Sequence, residues 1–71
     1  MALIEFFRGV IFFEQKNYNF AIKHFDKSLS LGSRLKDVVH YYQGLAYIEL
    51  SNNKMARQSF ERVTKEKTSD F

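Results

Sequence analysis

Residues 9–25, GVIFFEQKNYNFAIKHF, and residues 44–60, GLAYIELSNNKMARQSF, decide how this chain is read. A shift of 35 residues lays Gly9 on Gly44, Glu14 on Glu49, Asn17 on Asn52, Ala21 on Ala56 and Phe25 on Phe60. Similar residues fill the space around these identities. Phe6 meets Tyr41, Phe7 meets Tyr42, Val10 meets Leu45, Phe12 meets Tyr47, Asp26 meets Glu61 and Lys27 meets Arg62. A fixed period of this length is the mark of one supersecondary unit used twice.

The spacing inside each unit is helical. Leu3, Phe6, Val10 and Phe13 recur on one stripe, and Ala21, Ile22, Phe25 and Leu29 on another, whereas strand-like alternation is weak. Pro is absent and Gly occurs only at 9, 32 and 44. The pattern predicts four helices, near 3–15, 18–31, 35–50 and 53–66. Asn17 and Asn52 are placed to cap the helices that follow them. Gly32 suits the left-handed residue just past the second helix, and Ser33 suits the start of the third. Lys65 and Lys67 suit the negative end of the fourth. Each unit is then a helical hairpin, and the fold class is all-α.

The units read Gly9-x2-Phe12 with Ala21-x3-Phe25, and Gly44-x2-Tyr47 with Ala56-x3-Phe60. This framework resembles the tetratricopeptide repeat, whose period is about 34 residues. The Trp place of that family holds Glu5 and His40 here, the Leu place Arg8 and Gln43, and the closing Pro is Ser33 and Thr68. The resemblance implies two antiparallel hairpins stacked as a right-handed superhelical fragment. Repeat 1 would cover about 3–34 and repeat 2 about 35–67, with 68–71 a frayed tail on a single domain of 71 residues. Small residues such as Gly9 and Ala21 would let two helix backbones approach, with Phe12 and Phe25 filling the space beside them. A generic four-helix bundle is the alternative.

Composition narrows the function. Hydrophobic residues make up 45% and charged residues 27%, the balance of a folded chain. A chain this short buries only about 60% of its unfolded surface and usually needs a staple or a partner. Cys is absent, so disulfides and thiolate metal sites are excluded. Eleven Lys plus Arg against eight Asp plus Glu gives +3, with acids interleaved among bases, so no one-sided basic stripe suggests nucleic acid. Residues 1–13 are apolar, but the run is shorter than the ~20 residues a bilayer span needs and holds Glu5 and Arg8 without a basic leader. No membrane role and a cytoplasmic location are the expectations.

Catalytic patterns are missing. There is no Cys nucleophile, no Gly-rich phosphate loop and no GxSxG elbow. His24 and His40 stand on different predicted helices without a carboxylate pair at ligand spacing, so neither a metal nor a cofactor is expected. Glu14 and Glu49 lie near helix ends, and two hairpins cannot build the deep cleft that paired carboxylates need.

Apolar surface is the stronger signal. The first helix is hydrophobic on nearly every side, through Leu3, Ile4, Phe6, Phe7, Val10, Ile11, Phe12 and Phe13. Such a helix expects cover all round, yet in a two-hairpin array it is an edge. Where the second helix has Ile22, Leu29 and Leu31, the fourth has Arg57, Thr64 and Glu66, so the array reads as finished at its C-terminal end and open at its N-terminal end. A preceding repeat of a longer scaffold, a second copy of the chain or a ligand helix would cover the edge, and a homodimer through helix 1 is the first expectation. The family resemblance implies a concave groove lined by the first helix of each hairpin. It would consist of Leu3, Phe6, Val10 and Phe13 with Val38, Tyr41, Leu45 and Ile48, and Tyr42 at the rim. Co-chaperones of the family grip a C-terminal carboxylate with Lys and Asn there. Phe6, Val10 and Tyr42 occupy those places here, so an apolar helix or peptide is the expected partner.

Overall fold

The computed structural model describes residues 2–32 and 34–68, with side chains described up to residue 63. Four helices follow in order: α1 (Ala2–Glu14), α2 (Tyr18–Ser30), α3 (Lys36–Glu49) and α4 (Asn53–Thr68). They lie within one or two residues of the expected spans. α1 packs on α2 and α3 on α4, and the two pairs meet where α2 packs on α3. α1 touches α3 lightly, and among the described residues α4 touches only α3. The result is an all-α array of two helical hairpins, 38 × 29 × 16 Å. A slab 16 Å thick has no deep interior, so the identity of each covered face matters.

Each hairpin closes on the same contact. A β-carbon built on Gly9 would stand 2.5 Å from Cε1 of Phe25, and one on Gly44 would stand 2.5 Å from Cε1 of Phe60. The aromatic ring occupies the space that a side chain on the facing helix would need. Ala21 and Phe25 are fully buried, and with Phe6 and Val39 they form the core shared by the two hairpins. Val10, Phe12, Phe13, Leu29 and Tyr42 pack around it.

The turns repeat as closely as the helices. Lys16 and Ser51, 35 positions apart, both adopt a left-handed backbone, with φ of 63° and 61°. The amide of Asn17 donates to the Phe12 carbonyl and that of Asn52 to the Tyr47 carbonyl, each at 2.8 Å, while Lys16 and Ser51 donate to Phe13 and Ile48. These are the two bonds that close a Schellman motif. Gly32 takes the same left-handed place after α2, with φ 79°.

The helix starts differ from expectation in part. Asn52 caps α4 through its side-chain oxygen, which accepts from the Met55 amide at 3.3 Å. Asn17 makes no side-chain cap; its ψ of 72° falls short of the extended backbone from which a capping side chain reaches the first turn. The capping position of α3 is Leu35 rather than Ser33, and Ser33 lies outside the described residues. The side chains of Thr64, Lys65, Glu66 and Lys67 lie outside them as well. Leu31, expected to be covered by the second hairpin, is exposed, standing just past the last turn of α2.

The glycine contacts generate a comparison. Phe25 is enclosed and cannot move aside, so Gly9→Ala overpacks the joint and costs about 1–2 kcal/mol net of the helix-propensity gain. Phe60 borders an open recess and can shift, so Gly44→Ala is neutral to within about 0.5 kcal/mol. Urea denaturation of the two variants beside the parent protein measures the difference.

Candidate interaction surface

The repeat register shows which helical faces are covered. On α3 the side opposite Gly44 carries Val39, Tyr42, Gln43 and Ala46. Val39, Gln43 and Ala46 are buried, and Tyr42 packs its ring on Phe6, Phe13 and Phe25 at centroid distances of 5.6–5.9 Å. Gln43 donates through Nε2 to Oδ1 of Asp26 on α2. The same side of α1 carries Ile4, Phe7, Arg8 and Ile11, and nothing in the described chain covers it. Ile4 is 46% exposed, Phe7 54% and Ile11 55%. Leu3, at 50%, extends this patch.

The expected groove residues divide into two groups. Leu3, Val38, Tyr41 and Ile48 are exposed. Phe6 is 7% exposed and belongs to the core; Val10, Phe13 and Tyr42 pack against that core, and Leu45 is half-buried. Tyr41 leans on Phe60 and Tyr42, with ring centroids 5.9 and 6.1 Å away. The free apolar surface of α1 is therefore rotated from the Phe6–Val10–Phe13 stripe onto Ile4, Phe7 and Ile11. The 35-residue shift carries that signal, since it maps these three residues onto Val39, Tyr42 and Ala46.

Among the described residues, two recesses flank the array. One, of about 370 Å³, lies on the α3–α4 hairpin and is lined by Ile48, Asn53, Ala56, Arg57, Phe60 and Glu61. The other, of about 350 Å³, is lined by Ala2, Leu3, Gly32, Arg34 and Leu35, where the start of α1 meets the α2–α3 connection. Ser28, fully buried, donates through its hydroxyl to the Ala2 carbonyl at 2.7 Å and ties the start of α1 to the end of α2.

Some of the polar groups of the interior stand at positions that depart from the family pattern. Glu5 is buried between α1 and α2, and its Oε1 accepts from Nδ1 of His24 at 2.7 Å. Arg8 Nη1 stands 3.5 Å from its other oxygen, and the His24 ring stacks on Phe12 at 5.2 Å. The His24 hydrogen bond holds the Glu5 carboxyl below its usual pKa against the opposing effect of burial, with the charges of Lys27 and Arg8 helping. Sequence reasoning missed this pair because the residues are 19 apart and neither shows in the apolar period. In the second hairpin the equivalent place holds His40, whose buried Nδ1 has no hydrogen-bond partner among the described residues. Burial, seconded by Arg62, holds the His40 imidazole below its usual pKa; Gln43, Asp37 and Asp26 pull the other way.

Among the described residues no group of three His, Cys, Asp or Glu is placed to hold a metal ion, and no helix is long and apolar enough to cross a membrane. Comparison with protein-family models, curated proteins and solved structures found no match.

His40 sets a pH dependence with a definite sign. Below its unfolded pKa of about 6.5 the unfolded chain binds a proton that the folded chain resists, so stability falls as pH drops below about 7. Glu5 adds its own loss only below about 4.3, because its folded pKa is depressed. Urea midpoints across this range should decline for the parent protein, and His40→Gln should flatten the segment above about pH 5.

Proposed function

We propose that this chain is a tetratricopeptide-like protein-interaction module, with its two hairpins forming a short piece of right-handed superhelix. It binds apolar helical segments, copies of itself included, through α1. The observation that carries the reading is the exposure of Ile4, Phe7 and Ile11 at the register where α3 buries Val39 and Ala46 and packs Tyr42 on the core. The hairpin–hairpin contact inside the molecule shows how an α3-like face is covered, and α1 presents such a face.

Covering the exposed half of each large apolar side chain on α1 is worth roughly 1 kcal/mol, before the partner's own surface is counted. A micromolar complex needs about 8 kcal/mol, so the partner must bring a comparable apolar face. The groove residues Val38, Tyr41 and Ile48 on α3 are exposed too.

Sedimentation velocity over a dilution series up to about 300 µM tests self-association, with Phe7→Lys as the diagnostic variant. The parent protein should gain mass with concentration. Phe7→Lys should remain monomeric with its helicity intact, since Phe7 is exposed. Phe6→Lys should instead unfold the chain, since Phe6 is core. A parent protein that stays monomeric throughout would remove the self-association part of the proposal.

A further inference from the structure

The exposed face of α1 is one half of a joint that the molecule already contains once. In that joint α3 supplies the inserting side, with the Tyr42 ring set 5.6 Å from Phe13 and 5.9 Å from Phe25, and Gln43 bonded to Asp26. Moving the inserting side back by 35 residues turns Tyr42 and Gln43 into Phe7 and Arg8, on the open face of α1. Moving the receiving side forward by 35 turns Phe13, Phe25 and Asp26 into Ile48, Phe60 and Glu61. Those three residues line the recess of about 370 Å³ on the α3–α4 hairpin. One end of the chain thus carries the insert and the other end the seat.

We infer that copies of this chain stack head to tail, Phe7 of one copy entering the recess between Ile48 and Phe60 of the next. The inference rests on the interaction reading above and names the occupant of its surface. Two observations select a second copy. The new joint continues the α2–α3 joint in the same register. Its polar contact also improves in charge: where Gln43 meets Asp26 inside the molecule, Arg8 meets Glu61 between copies. A two-fold pairing of α1 with α1 would leave the recess on α3–α4 uncovered and set like charges of Arg8 on both sides of the interface. Arg57, Thr64 and Glu66 are the departures, standing where the first hairpin has Ile22, Leu29 and Leu31; the methylene stem of Arg57 can lie along the joint with the guanidinium at the rim. A head-to-tail contact forms a ring only where its rotation brings the copies round on themselves; one that continues the superhelix does not, so the product is an open row that lengthens with concentration.

Three proteins test the arrangement: the parent, Phe7→Lys and Ile48→Lys, both substituted side chains being exposed. Sedimentation should show the parent growing past two chains. Each variant should associate at least ~30-fold more weakly than the parent. An equimolar mixture of the two should form a two-chain species, because it retains one intact insert and one intact seat. If Ile48→Lys associates like the parent while Phe7→Lys does not, or if the mixture stays monomeric, head-to-tail stacking is overturned while binding through α1 stands. If the parent is monomeric at every concentration, or neither variant weakens it, self-association through α1 falls as well. Circular dichroism checks the fold of each variant, and Phe7→Ser and Ile48→Ser replace either Lys variant whose helicity drops.

Discussion

A phenylalanine ring seated on a glycine sets the distance between the two helices of each hairpin. The Phe25 and Phe60 rings stand where any side chain on residue 9 or 44 would have to go. Once the spacing of α1 to α2 and of α3 to α4 is fixed in this way, the remaining faces follow by geometry. The side of α3 opposite Gly44 must meet the neighbouring hairpin, and the side of α1 opposite Gly9 must meet solvent or another molecule. The same contact that holds each unit together therefore also aims the exposed apolar face of α1.

Much of this was legible in the chain itself. The helices and the repeat could be read because glycine, alanine and phenylalanine at fixed spacing reflect backbone approach, which few other residues tolerate. The turns were less legible. Lys16 and Ser51 hold left-handed backbones without the glycine that would announce them, and Asn17 and Asn52 look alike in sequence while only Asn52 caps with its side chain.

The exposed apolar face of α1 lies beside the stripe that periodicity picks out. Periodicity grouped Phe6, Val10 and Phe13 into one stripe, but a helix in a hairpin stack has two neighbours to satisfy, and Phe6 turns toward Phe25 and Tyr42 instead of outward. Glu5 and His24 escaped the reading for a related reason. A buried ion-accepting pair across two helices leaves no trace in the hydrophobic pattern; its only sign was a carboxylate standing where the family resemblance leads one to expect an aromatic.

The order of contacts along the array bears on how the polypeptide acquires its shape. The strong interhelical packing joins α1 to α2, α2 to α3 and α3 to α4, each helix to its successor. A chain emerging from the ribosome can complete the first hairpin before α3 has been made, then add each later helix to a finished template. Short loops to close and no distant segment to await favour rapid, sequential assembly during synthesis.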